Sequence, residues 1–160
     1  MIFHYHLTSM NIYEEFFKII EGLNKANVPY AVVGGIALSF HTEPRYTKDI
    51  DLLILPEGIN HAKVVLHDLG YDFEAKPWKF QNSNITLHRI SKINGEDFST
   101  VDLLEGHDSR LTEVVKNAVQ EETQFGKVSI AVKEDLIWMK KLRNSKQDIA
   151  DIEALENESY

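Results

Sequence analysis

The sequence lacks cysteine altogether, which excludes disulfide bonds and thiolate metal sites and fits a reducing compartment. Basic residues are also scarce, with 17 Lys and Arg against 25 Asp and Glu, a formal charge of −8. A large nonspecific nucleic-acid surface is therefore not expected, although a local basic patch would still allow RNA binding. No apolar run approaches the roughly 20 residues of a membrane span, and the first ten residues do not resemble a signal peptide. We expect a cytoplasmic protein with no membrane partner.

What the sequence does contain is a concentrated motif between residues 30 and 55. An apolar run, Tyr30 to Val33, ends at the pair Gly34-Gly35, and a second apolar run begins with Asp49-Ile50-Asp51. Side chains alternate along a strand, so the two aspartates point the same way, with Cα atoms about 6.5 Å apart. Both carboxylates can then reach one divalent ion, and an all-oxygen site favours Mg²⁺. The alternative is a helix cap or a solvated strand edge.

The glycine pair adds a second half to this motif. Glycine between a strand and a helix allows a sharp turn and a close approach of the backbone to a ligand. The N-terminus of the following helix offers free N–H groups to an anion. A phosphate cradle next to a metal-binding carboxylate pair indicates a site for a nucleoside triphosphate.

These residues match the pattern of a known family. An apolar residue, Gly34-Gly35, the spacer Ile36 to Lys48 and then Asp49-Ile50-Asp51-Leu52 resemble the signature of the nucleotidyltransferase superfamily that includes DNA polymerase beta. The stretch GGIALSFHTEPRYTKDIDLLI is most similar to the small bacterial branch of AbiEii/AbiGii toxin-type nucleotidyltransferases. The resemblance implies an NTP substrate such as ATP, two Mg²⁺ ions with Mn²⁺ as a substitute, and an antitoxin or other protein as a conceivable partner.

The active face is expected to extend backwards from the two aspartates. If the strand runs from Arg45, then Arg45, Thr47, Asp49 and Asp51 share one face. The alternative is that Arg45 pairs with a nearby surface acid. The resemblance favours the first interpretation and implies that Arg45 and Thr47 bind the nucleotide.

A third carboxylate is expected from a later hairpin. Ile85 to Ile90 and Phe98 to Leu104 read as strands, and the Asn94-Gly95 pair between them is a strong hairpin signal. Asp102 stands in the second strand in an otherwise apolar context, and its other interpretation is a strand-end carboxylate facing water. In the superfamily that the sequence resembles, a third carboxylate arrives on a later strand. That resemblance makes Asp102 a catalytic and metal-binding candidate, as a ligand or as the acceptor of a proton.

Two smaller features leave alternatives open. Trp78, between Lys76 and Lys79, could stack a base or could pack onto the core. Residues Phe125 to Ala131 predict a short strand at an edge of the sheet.

The last third of the chain predicts two helices joined near Asn144-Ser145, with Ser145 as the N-cap of the second. From the residues alone, this is an amphipathic pair with its charges on the solvent face. The resemblance to the tail of AbiEii-type proteins implies instead that Lys140 contacts the triphosphate, and that Asp148 and Asp151 position Lys140 or Arg143.

The resemblance implies an α/β (α+β) fold, with a nucleotidyltransferase-like mixed sheet of about 4–6 strands flanked by helices and a C-terminal helical pair. We expect a single domain over residues 1–160, with a catalytic core over about 11–131 and the C-terminal helices over about 133–158. The implied activity is metal-dependent transfer of NMP from an NTP to an acceptor, with release of pyrophosphate. The acceptor could be tRNA or another RNA, a small molecule or a protein.

Those expectations place Asp49, Asp51 and Asp102 as catalytic and metal-binding residues, with Gly34 and Gly35 at the phosphates. The alternative is a noncatalytic nucleotide-binding protein or toxin–antitoxin partner with the same fold. Such a protein would most simply have lost a carboxylate, and all three are present.

Overall fold

Eight strands and six α-helices lie in the two stretches that the computed structural model describes, residues 10–43 and 47–157. The strands are β1 Tyr30–Val33, β2 Asp49–Ile54, β3 Phe73–Glu74, β4 Trp78–Lys79, β5 Ile85–Asn94, β6 Asp97–Gly106, β7 Val119–Thr123 and β8 Gly126–Ile130. The helices are α1 Ile12–Lys25, α2 Gly34–His41, α3 Ile59–Asp68, α4 Ser109–Asn117, α5 Lys133–Arg143 and α6 Lys146–Glu156, and a 3-10 turn at Pro56–Gly58 precedes α3.

All eight strands belong to one mixed sheet, in the order β3-β5-β6-β2-β1-β8-β7, with β4 paired to β5. β2 runs antiparallel to β1 and parallel to β6. Its residues Leu52, Leu53 and Ile54 are fully buried, as expected for a strand covered on both faces. The α/β prediction is confirmed. Among the described residues, six strands have four or more residues and two more have only two, which takes the sheet beyond the expected 4–6 strands.

The first helix follows its sequence signals closely. The Asn11 side chain caps α1, its Oδ1 accepting hydrogen bonds from the backbone N–H groups of Tyr13 at 2.9 Å and Glu14 at 3.2 Å. Phe16 and Ile19 are fully buried where α1 packs on β2 and α3. The cap and the apolar face thus fix where this helix begins and which side of it packs on the sheet.

The edge of the sheet differs from the prediction. β8 lies between β1 and β7, so the expectation that residues 125–131 form an edge strand is wrong. The edge is β7, which sequence reasoning missed because the strand is mostly polar and exposed, with no apolar alternation to mark it.

The β5–β6 hairpin forms as predicted, but its turn is displaced by one residue. Asn94 pairs with Asp97, which leaves Gly95 and Glu96 as the turn residues, and Gly95 has the left-handed φ of +65°. This displacement decides which residue faces Asp102, because it sets the register of the whole hairpin.

The two C-terminal helices pack against each other, and α6 also contacts α2. Residues of both helices line a cavity that Val33 and Gly34 also border. None of the helices in the described ranges combines the length and apolarity needed to cross a bilayer.

Candidate active site

Two of the predicted carboxylates lie side by side on neighbouring strands. Asp51 of β2 is the register partner of Asp102 of β6, and the strands are parallel, so both side chains project from the same face. Asp49 lies two residues earlier on that face, beside Thr100. Ile50 and Leu52, which alternate with the aspartates, are fully buried on the other face. The sheet therefore gathers all three carboxylates on one surface.

Gly34 makes room for Asp51. Val33 pairs with Asp51 across β1 and β2, which places Gly34 directly against the carboxylate. A Cβ atom at Gly34 would lie 2.0 Å from Asp51 Oδ2, and the φ of +69° is one that other residues rarely adopt. Two independent constraints thus require glycine at this position.

Asp102 carries a partner that sequence reasoning missed. Arg89 of β5, its register partner, donates from Nε to Asp102 Oδ1 at 2.8 Å and from Nη2 to Oδ2 at 2.9 Å. The guanidinium also lies 5.5 Å from the centre of the exposed Trp78 ring. Trp78 therefore does not pack onto the core; it covers Arg89. The hairpin register was the signal that could have identified Arg89.

Within residues 10–43 and 47–157, Asp49 and Asp51 have no such partner. Among the described residues, no lysine or arginine forms an ion pair with either carboxylate. Burial raises the pKa of Asp51 to about 7, with further contributions from the negative charges of Asp102 and Asp49. Burial and Asp102 likewise raise the pKa of Asp49, although Arg89 and Lys48 oppose the shift.

A divalent cation would relieve this unbalanced charge, so Asp49 and Asp51 fit a metal ion by charge and donor type. Within the described residues, however, no group of three or more His, Cys, Asp and Glu side chains is arranged to hold a metal. Asp102, with both oxygens on Arg89, is the carboxylate already supplied with a cation.

The C-terminal helices contribute buried charges to the site. Lys140 of α5 donates to Asp151 of α6 at 3.0 Å, and both side chains are buried. Arg143 donates from Nε and Nη2 to the two oxygens of Asp148, whose side chain is fully buried. The prediction that these charges lie on the solvent face is wrong for Lys140, Asp148 and Asp151. The pairs expected from the resemblance are present as contacts.

A cavity of about 280 Å³ joins these parts. Gly34, Asp51 and Asp102 of the sheet region line it, together with Lys140, Arg143 and Asp148 of the C-terminal helices. Its remaining walls are mainly apolar and come from the strands, from α5 and from the loop between β4 and β5, where Phe80, Gln81 and Ser83 border the space. The cavity thus brings the Asp51 and Asp102 carboxylates and two cations to one space, an arrangement that suits a nucleotide with its phosphates and metal.

The other predicted nucleotide contacts are less direct. Arg45 lies outside the described residues. β2 begins at Asp49, so strand alternation does not reach Thr47, whose hydroxyl donates to the backbone oxygen of Asp49 at 3.3 Å. Gly35 is buried in the first turn of α2, where its carbonyl accepts from Ser39. The functional roles of all these residues stay predictions.

A mixed sheet with carboxylates on two paired central strands and a glycine turn beside them defines a nucleotidyltransferase. Residues 10–157 match the family described as "Nucleotidyltransferase of unknown function (DUF6036)", and the chain belongs to this family. Membership implies a nucleotide substrate and an acceptor. A search of curated protein sequences finds no match. The narrower resemblance to the AbiEii/AbiGii branch stays a prediction.

Solved structures share the fold at low sequence identity. A putative nucleotidyltransferase, TM1012 from Thermotoga maritima, is 18% identical, with a TM-score of 0.59 over 96% of this chain and 100% of that one. The lincosamide antibiotic adenylyltransferase LnuA, bound to lincomycin, is 16% identical, with a TM-score of 0.58 over 90% and 96%. ANT(2")-Ia in complex with adenylyl-2"-tobramycin is 16% identical, with a TM-score of 0.56 over 89% and 86%. The nucleotidyltransferase-like fold is thereby confirmed.

Proposed function

We propose that this protein transfers a nucleoside monophosphate from an NTP to an acceptor and releases pyrophosphate, in a reaction that requires Mg²⁺. The observation that carries the proposal is the pairing of Asp51 with Asp102 on one face, next to Asp49, in a cavity that Lys140 and Arg143 also line. The family match supports the reaction class.

The phosphates would lie between the glycine turn and the C-terminal helices. Gly34 and Gly35 open α2, whose N-terminus has no side-chain cap in the described residues and can offer backbone N–H groups to an anion. Lys140 and Arg143 face the same space. An ammonium has three donors and a guanidinium five, so pairing with Asp151 and Asp148 leaves donors for the triphosphate.

Bound Mg²⁺ would neutralise charge on the phosphates and on Asp49 and Asp51. The acceptor oxygen attacks the α-phosphorus, and the bond from that phosphorus to the bridging oxygen breaks. Pyrophosphate leaves with the bonding electrons, and the acceptor's proton passes to solvent. Asp102 can hold the attacking group through a hydrogen bond. Lys140 and Arg143 would hold the departing pyrophosphate.

The candidate acceptors are RNA ends, small molecules and protein side chains. Among the solved structures, ANT(2")-Ia is in complex with adenylyl-2"-tobramycin, and the lincosamide antibiotic adenylyltransferase LnuA is bound to lincomycin. ATP with a small hydroxylated molecule is therefore the first combination to test.

The test is incubation of the protein and a cell extract with each NTP labelled on the α-phosphate, in Mg²⁺ or in EDTA. We expect Mg²⁺-dependent label in one fraction among RNA, protein and small molecules. Asp135→Asn is a matched control, since Asp135 is a buried, arginine-paired aspartate that does not line the cavity. Equal labelling by the wild type and by Asp51→Asn would overturn the proposal.

A further inference from the structure

Arg89 and Asp102 form an ion pair with two hydrogen bonds that is less exposed to solvent than a surface ion pair. Each of the two Asp102 oxygens accepts one hydrogen bond from the guanidinium, in the fork geometry that arginine forms with carboxylates. The Asp102 side chain is 7% exposed, so little solvent competes for it. The pKa of Arg89 is raised chiefly by this hydrogen bonding, although burial opposes the shift.

Trp78 holds Arg89 from the other side. Trp78 pairs with Leu87 across β4 and β5, two residues from Arg89 and on the same face of the sheet. The guanidinium lies 5.5 Å from its ring centre, within the range of a cation–π contact. Arg89 is therefore fixed by its register, by Asp102 and by the ring.

We infer that Arg89 takes the place of a second cation, so that the site binds a single divalent ion between Asp49 and Asp51. This inference rests on the proposed function, which supplies the reason for metal binding. It makes Arg89 a positioning residue that acts through Asp102, and it replaces the two-ion expectation drawn from the family resemblance.

The charge balance supports a single ion. Fully ionised, the three aspartates carry −3, and Arg89 reduces this to −2. One divalent ion brings these four side chains to neutrality, so that no unpaired carboxylate among them remains for a second ion. A second divalent ion at Asp102 would lie against the guanidinium, and like charges at a few ångströms in a partly buried site repel strongly.

The hydrogen-bonding capacity of Asp102 agrees with this balance. Asp102 keeps lone pairs that Arg89 does not use, because two carboxylate oxygens have about four acceptor directions between them. It can therefore accept a hydrogen bond from the acceptor group without binding a metal.

The chain offers a matched control for this arginine. Arg110 donates to Asp135 at 2.7 Å and lies 4.3 Å from the centre of the Trp138 ring. Its side chain is 38% exposed against 43% for Arg89, and both aspartates are 7% exposed. Neither Arg110 nor Asp135 lines the cavity. Arg110→Gln thus removes a similar arginine–aspartate–tryptophan contact, with one hydrogen bond instead of two, away from the three carboxylates.

The test is the number of Mn²⁺ ions bound per protein–nucleotide complex, measured by equilibrium dialysis with a nonhydrolysable NTP analogue. We expect one ion for the wild type, Arg110→Gln and Arg89→Lys, and two for Arg89→Gln, in which Asp102 becomes available. Two ions in the wild type would overturn the inference, and so would one ion in a folded Arg89→Gln protein. Should Arg89→Gln fail to fold, the wild-type count alone decides.

This design separates the inference from the function on which it rests. A wild-type complex with two ions contradicts the role of Arg89 and leaves nucleotidyl transfer standing. A protein that binds neither Mn²⁺ nor the analogue contradicts the proposed function itself.

Discussion

The α5–α6 junction and strand β2 shift the pKa values of their aspartates in opposite directions. At the α5–α6 junction, Asp148 is fully buried and accepts hydrogen bonds from Arg143 and from the backbone and side chain of Ser145. Burial by itself raises its pKa, but these hydrogen bonds outweigh burial and lower the pKa to about 2. On β2, burial and two neighbouring carboxylates raise the pKa of Asp51 to about 7.

The difference distinguishes a carboxylate that stabilises the fold from one that is a candidate for function. A buried carboxylate with matched donors stabilises the fold around it, whereas one beside other carboxylates destabilises the folded state unless a ligand compensates. Asp51 is retained in an unfavourable environment, next to a glycine that leaves it room. Strongly perturbed carboxylates in a cavity mark candidate functional sites. In the proposed function, the junction shapes the cavity and supplies the cations for the phosphates, whereas β2 supplies the carboxylates for the metal.

The largest expected effect comes from Asp51→Asn, which keeps the shape and removes the charge. Transfer of the labelled nucleotide should fall at least about 1,000-fold, equivalent to about 4 kcal/mol in the activation free energy. In EDTA near pH 8 the variant should unfold at the same temperature as the wild type or higher, because it no longer buries an unpaired charge. A variant that unfolds at a lower temperature than the wild type and keeps its activity would show that Asp51 stabilises the fold and is not needed for transfer.

Gly34→Ala should have the next largest effect. The new Cβ would meet the Asp51 carboxylate and also impose a left-handed conformation that costs about 1–2 kcal/mol. Metal-dependent nucleotide binding should be lost, as measured by calorimetry. The control is Gly95→Ala, where φ is +65° and nothing lies within 4 Å of the new Cβ. It should lose stability through its backbone alone and bind nucleotide normally; equal binding defects in the two variants would contradict the account.

Asp148→Asn tests the supporting region. Loss of the charged acceptor for Arg143 and Ser145 should lower the free energy of unfolding by about 1–3 kcal/mol, measured by urea denaturation. Glu21→Gln breaks the exposed pair between Glu21 and Lys25 and should leave the midpoint unchanged. An unaffected Asp148→Asn protein would mean that the junction does not depend on its buried pair.

The last prediction concerns pH. Because the pKa of Asp51 is raised in the folded state, its protonated form adds stability that is fully present below about 4 and is lost as the pH rises through about 7. In EDTA, the melting temperature of the wild type should therefore fall relative to Asp51→Asn between pH 5 and pH 7. Parallel curves for the two proteins over this range would show that Asp51 is not perturbed. Asp148, whose pKa is lowered, changes stability only in stronger acid.

The sequence predicts the β2 side of the site because its signals are local. Alternation places Asp49 and Asp51 on one face, and the glycine pair marks the turn beside them. Asp102 was identified by resemblance and by its apolar context, and the structure places it next to Asp51. These are the features in which strand geometry and hydrophobic pattern agree.

Arg89 was missed because the register that places it opposite Asp102 depends on where the hairpin turn forms. With Asn94-Gly95 as the two turn residues, Ile93 would pair with Glu96 and Asp102 would face Leu87. The turn forms at Gly95-Glu96 instead, and this shift brings Arg89 opposite Asp102. A displacement of one residue in a loop thus changes the chemistry of the third carboxylate.

The C-terminal charges were misplaced for a different reason. Lys140, Asp148 and Asp151 look like solvent-facing residues of amphipathic helices, because burial of a charge is costly unless a partner accompanies it. Their partners lie on the opposite helix of the pair, so only the packing of α5 against α6 reveals the compensation. Helical periodicity within one segment does not contain this information.

The most direct test of the central claim does not require the acceptor. Calorimetric titration of the protein with a nonhydrolysable NTP analogue, in Mg²⁺ and in EDTA, measures whether the β2 carboxylates form a metal-dependent nucleotide site. We predict binding by the wild type in Mg²⁺ alone, and no binding by Asp51→Asn under either condition. Equal affinity of the two proteins, or binding that ignores Mg²⁺, would contradict the account.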